Sequence, residues 1–430
     1  MHFLYSIYRI IIIFIYGGFM LNINLNELIS SLAIATDLSH CSMINDKSPA
    51  YLKGNQNPVD KHRFFNHSKR TSYVSMSIAK LISLDKSFLS DVYISSTLHD
   101  IGVTCSIDEC HSDEVFIKKH CLDGENILKK FPINFSISEY IKYHHENFDG
   151  SGSFGLYKDE IPLISQIIRL SDTFEILYDE TKPNYFQRDY IKKFLLNSKK
   201  SILSPDIVDI FMEVESKDMF WWDVDNLSFS SNTVNDVIPK EFIPVDLEFL
   251  KAIAEIFAEI IDNKSPFTFK HSYNLSKLCE KVADHLKFDS EKKIKFIIAA
   301  LLHDLGKLAI PNSILNKNEK LNDNEMTVIK SHTYYTYLIL SKIKGLEEIT
   351  SWAANHHEKL NGEGYPRRLK SEDLCFEDRL LAICDIFEAL TSKRPYKEGI
   401  SKDKAFKILD DMALKKEICG DALSVIKQCF

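Results

Sequence analysis

Two adjacent imidazoles, His356 and His357, open a run from Asn355 to Pro366 that closes on Gly362, Gly364, Tyr365 and Pro366. Neighbouring helical residues point about 100° apart, so the pair cannot easily chelate one ion. Each could instead serve one of two ions lying roughly 4 Å apart. The competing explanation is a polar helix end, since His near a C-terminus suits the helix dipole and Gly and Pro stop helices anyway. For this stretch alone the two stand level. Upstream, His303 and Asp304 follow the apolar run Phe296 to Leu302 and precede Gly306 and Lys307. This second adjacent pair of ligand-type side chains favours a paired-metal centre.

The same residue types recur at matched spacings in the other half. His67 precedes His99 by 32 positions and His271 precedes His303 by 32, while His120 precedes His144 by 24 and His332 precedes His356 by 24. His99-Asp100 matches His303-Asp304, the run His144 to Glu146 matches His356 to Glu358, and Asp172 to Glu175 answers Asp385 to Glu388. Ten of the fifteen histidines fall on repeated positions, which marks a tandem duplication of one metal-binding unit. His2, His40, His62, His111 and His285 have no counterpart and are expected on the surface or in loops. One departure bears on chemistry. Between the His-Asp pair and the next repeated histidine the first half is eight positions shorter, and Val103 stands where the second half has Lys307. By the same counting, Gly152, Ser153 and Phe154 answer Gly364, Tyr365 and Pro366.

Ligands so spaced need helices to hold them. With 430 residues, two or three domains are expected, and 45% apolar and 27% charged residues with 14 Gly and 12 Pro describe a soluble, largely helical protein. The expected fold is all-α: two tandem helical domains, each a multi-helix bundle around a metal centre. The expected parts are an apolar extension at 1–19, a first domain at 20–214, a linker at 215–244 whose Trp221 and Trp222 pack on a domain, and a second domain at 245–430. Leu21 to Leu38 has the apolar spacing of a first helix, and residues 40–62 read as a loop leading to a helix near Phe64.

Charge and cysteine content narrow the function. A net charge of −8 argues against duplex nucleic acid or anionic membranes as partners, but leaves room for a small phosphate substrate whose charge metals could meet. Nine cysteines without a C-x-x-C pair fit a reducing cytosol better than a disulfide framework. The apolar stretch Phe3 to Met20 is short for a spanning helix, is interrupted by Arg9 and lacks a small-residue cleavage site. Its flanking charges would also place the rest of the chain outside the cytosol. Met20 is therefore the expected start and the cytoplasm the expected location, with membrane association through residues 3–20 as the lesser alternative.

At these residues both halves resemble the HD-GYP domain, a branch of the HD superfamily of metal-dependent phosphohydrolases. The second half matches throughout: Ser265 to Ser272, His303-Asp304 with Lys307, Ile310-Pro311, His332, His356 to Glu358, Gly364 to Pro366, and Asp385 to Thr391 with Arg394 to Tyr396. The first half matches at its ligands but departs at the lysine and the Tyr-Pro pair, so it resembles a degenerate copy. The resemblance implies that His271, His303, Asp304, His332, His356, His357 and Asp385 bind two ions, Fe or Mn, with Asp304 bridging. It implies a second, degenerate site at His67, His99, Asp100, His120, His144, His145 and Asp172. Some members take a third metal through a Glu four residues before the first His; here Phe267 stands there, so two ions are expected.

The donor types agree independently, since imidazole and carboxylate without thiolate suit Fe, Mn or Zn. Lys307, one turn after His303, would supply a cation to a phosphate oxygen or leaving alkoxide, Tyr365 would shape the rim where a base stacks, and Arg394 would hold the loop or contact phosphate. The resemblance implies hydrolysis of a cyclic dinucleotide, cyclic di-GMP or 3′,3′-cyclic GMP-AMP, to a linear dinucleotide and onward to mononucleotides in some members. The alternatives are a mononucleotide phosphohydrolase of the wider superfamily, or a non-catalytic cyclic-dinucleotide receptor or scaffold. A homodimer or a signalling-protein partner is compatible with either.

Overall fold

The computed structural model describes residues 20–46, 66–105, 114–227, 239, 242–265, 270–392 and 398–430. Among these the chain is helical apart from turns and one two-stranded antiparallel sheet, β1 Met20–Asn24 against β2 Pro244–Asp246. It divides into two compact units. One holds Leu28–Glu241 and Leu308–Glu325; the other holds the chain up to Glu27 together with Phe242–Lys307 and Met326–Phe430. The first strand and the first helical turn thus count with the second copy, not with the domain expected from residue 20.

The helix expected from Leu21 begins at Leu25, as α1 Leu25–Asp46. Two neighbours of β2 account for the delay. Ile23 sits opposite Val245 and Asn24 opposite Pro244, and Leu25 N donates to Ile243 O at 2.9 Å. Asn24 then turns the chain, its side-chain oxygen accepting from Asn26 N at 3.2 Å as helix-starting residues do. Because α1 continues to Asp46, the start of the loop expected at 40–62 is also helical, and the rest of that loop lies outside the described residues.

In the first copy the bundle consists of α2 His67–Ile82, α3 Lys86–Leu98, α4 Glu114–Leu128, α5 Ser136–Lys142 and α6 Leu163–Leu177. Behind them come α7 Arg188–Asn197, α8 Pro205–Glu215 and α9 Asp218–Asn226. The central helix is α3, started by Asp85, whose carboxylate accepts from Phe88 N at 2.9 Å, and buried at every residue from Val92 to Leu98. It packs on α2 and α5. The linker expected at 215–244 begins as α9 instead. Trp221 is fully buried among Phe174 and Phe220 and donates Nε1–H to Glu215 O at 2.9 Å, while Trp222 stays exposed. Aromatic burial of this size extends the first unit past 214.

The second copy repeats the plan with α10 Leu247–Lys264, α11 His271–His285, α12 Ser290–Leu302, α13 Asn312–Leu315 (counted with the other unit), α14 Asp323–Leu340, α15 Glu347–Ala354, α16 Phe376–Thr391, α17 Lys402–Leu414 and α18 Gly420–Gln428. Its central helix α12 is capped by Asp289, which accepts from Lys292 N at 2.8 Å, and is buried from Phe296 to Leu302 against α10, α11 and α15. A side-chain cap of this kind stabilises a helix by about 1 kcal/mol. In both copies the helix carrying the first ligand follows a left-handed residue, Asn66 at φ 58° and Lys270 at φ 60°. Lysine there is strained, since L side chains rarely adopt that region. No helix among the described residues is long and apolar enough to cross a membrane, and residues 1–19 lie outside them.

Candidate metal centre

Five elements of the second copy deliver its candidate ligands to one place. His271 opens α11, His303 and Asp304 leave the end of α12, His332 lies on α14, His356 and His357 follow α15, and Asp385 lies on α16. Backbone carbonyls three residues back fix three of the rings: His303 Nδ1 donates to Ala300 O at 2.8 Å, His332 Nδ1 to Ile329 O at 2.6 Å and His356 Nδ1 to Ala353 O at 2.7 Å. A carbonyl oxygen only accepts, so the proton sits on Nδ1 and the Nε2 lone pair is turned to the centre. His271 Nδ1 reaches the same result by bonding to the Glu388 carboxylate. Partners behind the ligands set both ring orientation and basicity.

Asp304 divides the ligands into two groups. Its Oδ2 lies 3.1 Å from His303 Nε2 and 3.9 Å from His271 Nε2, with Asp385 Oδ1 a further 3.1 Å from His271 Nε2. Its Oδ1 lies 3.4 Å from His332 Nε2 and 4.0 Å from His356 Nε2, and the His357 ring stands beside that of His332 at 5.2 Å. One carboxylate oxygen therefore faces each group. His303 Nε2 and Asp304 Oδ1 are buried without a hydrogen-bond partner, although other donors and acceptors crowd them. Donor atoms 3 to 4 Å apart are the edges of a coordination shell with bonds of roughly 2.1 Å, so the residues fit divalent ions.

Protonation states agree on most positions. Burial drives His332 down to about 3 and holds His356 and His357 below the usual imidazole value, leaving them neutral. Burial would raise Asp304, but His303 and Lys307 beside it hold its carboxyl well below the usual carboxylate range. Asp385 is likewise lowered against its burial by His271. His271 is the exception: burial opposes its charge, yet Asp385 and Glu388 push it up to about 10. An imidazole facing two carboxylates holds a proton that an incoming cation must displace.

Around the ligands, Lys307 Nζ lies 2.5 Å from Asp304 Oδ2 and is partly exposed. Gly306 lets α14 close in, since a Cβ there would stand 1.9 Å from His332 O. Tyr365 packs its ring 4.9 Å from His357, and burial pushes its phenol up, so it stays protonated. Glu358 draws the Gly-Tyr-Pro loop back by accepting from Arg367 N at 2.7 Å and Leu369 N at 2.9 Å. Arg394 and Phe267 lie outside the described residues. Glu388 had no assigned role in the sequence, although its repetition as Glu175 was the signal for one.

The first copy gathers its seven counterparts. His67 Nε2 lies 3.0 Å from His99 Nε2, 3.1 Å from Asp100 Oδ2 and 3.6 Å from Asp172 Oδ1, with His67 Nδ1 donating to Glu175 at 2.6 Å. His120 and His144 each place Nε2 at 3.6 Å from Asp100 Oδ1, and His145 Nδ1 is 3.9 Å from Asp172 Oδ2. Val103 occupies the backbone place of Lys307, its N donating to Asp100 O as Lys307 N does to Asp304 O, but its side chain is fully buried. The loop after His145 differs from the expected alignment. Gly152 packs on Glu146 as Gly364 does on Glu358, but Glu146 accepts from Phe154 N and Leu156 N. Phe154 thus answers Arg367, and the single Ser153 stands for Tyr365 and Pro366. His40, expected on the surface or in a loop, is helical and buried, with its ring 5.9 Å from that of His67 and Nδ1 at 3.9 Å from Asp100 Oδ2. It lies on α1, three residues after Asp37, which accepts from Ser68 on α2. His285 is exposed and paired with Gln428; His2, His62 and His111 lie outside the described residues.

The two ligand sets coincide with two matches to the HD domain, at residues 42–188 and 255–418. The chain belongs to the HD-domain family. Among curated relatives of this HD-domain protein, the 3′3′-cGAMP-specific phosphodiesterase 1 of Vibrio cholerae is 28% identical over 357 residues, spanning 80% of this chain and 82% of the relative. The 3′3′-cGAMP-specific phosphodiesterase 3 of that organism is 29% identical, over 69% of this chain and 63% of its own length. A cyclic di-GMP phosphodiesterase response regulator of Xanthomonas campestris is 38% identical over 35% of this chain and 41% of its own. The HD-domain protein also shares its fold with the crystal structure of a cyclic GMP-AMP specific phosphodiesterase of V. cholerae, at TM-score 0.64 and 21% identity over 96% of this chain and 98% of the other.

Proposed function

We propose that the protein is a metal-dependent phosphodiesterase that opens a cyclic dinucleotide at its second copy, with 3′,3′-cyclic GMP-AMP as the substrate. The observation that carries this is Asp304, whose two oxygens face two separate histidine groups while Lys307 stands beside it. His271, His303, Asp304 and Asp385 would hold one ion, and His332, His356, His357 and Asp304 the other, with Fe or Mn suiting these donors. Ions held by these residues would supply an activated water and charge neutralisation at the nonbridging oxygens of a phosphodiester for in-line displacement. Lys307 offers its ammonium to a phosphate oxygen or to the leaving alkoxide, where a fixed cation in a partly buried site stabilises developing negative charge. Tyr365, protonated and packed on His357, forms an aromatic wall against which a base can stack.

The choice of cyclic GMP-AMP rests on extent. Two relatives aligned over 80% and 69% of this chain are named for that nucleotide, whereas the cyclic di-GMP phosphodiesterases align over 41% or less. Purified full-length protein loaded with Mn²⁺ or Fe²⁺ is to be incubated with each cyclic dinucleotide and its linear and mononucleotide products separated. Preferential opening of cyclic GMP-AMP, lost in His303→Ala combined with Asp304→Ala, is the expected result. Full turnover by that folded double variant would refute the site, and preference for cyclic di-GMP would refute the substrate.

A further inference from the structure

The first copy differs from the second at a residue that no repeated spacing announces. Arg169 lies on α6 one turn before Asp172; the matching place on α16, one turn before Asp385, is Ala382. Its Nη1 donates to His145 Nδ1 at 3.3 Å and its Nη2 to Asn147 Oδ1 at 3.0 Å, while its buried Nε has no hydrogen-bond partner. Arginine has no acceptor, so His145 Nδ1 must accept and a neutral His145 ring then carries its proton on Nε2. Neither nitrogen is left with a lone pair for an ion. A guanidinium is also permanently charged, and it stands against the ring of His145.

The two sides of Asp100 offer equal numbers of donors, His120, His144 and His145 on one and His67, His99 and Asp172 on the other, and the shortest separations lie on the second. His67 Nε2, His99 Nε2, Asp100 Oδ2 and Asp172 Oδ1 lie 3.0 to 3.8 Å from one another along the measured pairs. His40 Nδ1 adds a further ring nitrogen at 3.9 Å from Asp100 Oδ2. The Asp37–Ser68 and Asp262–Ser272 hydrogen bonds align the two copies here, and they place Ser265 where the first copy has His40. The second copy gathers the same four donors around its proposed catalytic centre, so it is the added His40 that would fill a position left open there, as in structural rather than catalytic sites.

We infer that the first copy holds a single divalent ion, bound by His67, His99, Asp100 and Asp172 with His40 as an added ligand, and that Arg169 takes the place of the second ion. The centre then serves to tie α1, α2, α3 and α6 together and performs no hydrolysis.

The test is the metal content of the full-length protein after Mn²⁺ loading and dialysis, read by mass spectrometry beside anomalous scattering from crystals. His67→Ala is expected to lose one ion per chain and His120→Ala none. His40→Ala is expected to weaken the ion of that side at least tenfold in a chelator competition, and Arg169→Ala to gain one ion per chain. Equal losses from His67→Ala and His120→Ala, or no loss from either, overturn the single-ion assignment. Unchanged affinity in His40→Ala removes that ligand, and a folded Arg169→Ala that gains nothing removes the role of Arg169. Should Arg169→Ala fail to fold, the two histidine variants and the anomalous peaks still decide the number and place of ions. None of these readings depends on turnover, so failure here and failure of the phosphodiesterase assignment are separable.

Discussion

Replacing Lys307 with valine would give the second copy the residue that the first already has at the same backbone position, the fully buried Val103. The magnitude follows from charge and exposure. An ammonium about 4 Å from a phosphate oxygen, at an effective dielectric near 20, contributes about 4 kcal/mol. Lys307 is 19% exposed and shares its charge with Asp304, so roughly half to three-quarters of that is available, about 2 to 3 kcal/mol. That corresponds to a fall in kcat/KM of roughly 30- to 150-fold. Because Lys307 is a neighbour of the ligand Asp304 and no ligand itself, metal content should be unchanged. Steady-state ring opening, measured beside metal content, checks both. Activity within threefold of the parent would refute the role assigned to Lys307, and a loss that tracks loss of metal would show that the lysine acts by supporting the ligands.

Glu388→Gln weakens the carboxylate behind His271 and should lower metal affinity roughly 10- to 100-fold with little change in fold, readable by chelator competition. Between pH 6.5 and 8.5 His271 is protonated in the ion-free centre, its value standing near 10, while His332 near 3 is already neutral. Binding on the His271 side should therefore release one proton and tighten about tenfold per pH unit as pH rises; affinity flat across that range would contradict it. Gly306→Ala should destabilise the second unit by about 1 to 3 kcal/mol or displace α14 with His332, since the added Cβ would meet His332 O, and thermal unfolding with metal content would show which.

The histidine pairs were legible because a duplicated ligand must recur at a fixed spacing, and this alone located fourteen side chains in two clusters. What escaped has physical reasons. His40 and Arg169 lack partners in the other copy, where Ser265 and Ala382 stand, so no repeat points to them. Carbonyls of Ala300, Ile329 and Ala353 orient three rings, yet a carbonyl leaves no mark on residue identity. The start of α1 was misplaced because apolar spacing from Leu21 suits a helix locally, whereas β1 is specified by a partner near residue 245. The all-α architecture was readable for the opposite reason, since each central helix carries its own cap and its own apolar run.

The pairing of β1 with β2 has a consequence for how the protein is made. Ile23 is fully buried, opposite Val245 and against Gly345, so the second unit contains a strand separated from its partner by the whole of residues 28–241. On the ribosome that strand emerges more than 200 residues before its partner exists. The second unit therefore cannot finish during translation from its own contiguous sequence, and a fragment cut at residue 245 would lack an edge that the intact chain provides. Closing so long a loop is slow, and because the first unit takes in Leu308–Glu325 as well, neither unit is completed from one contiguous stretch of chain.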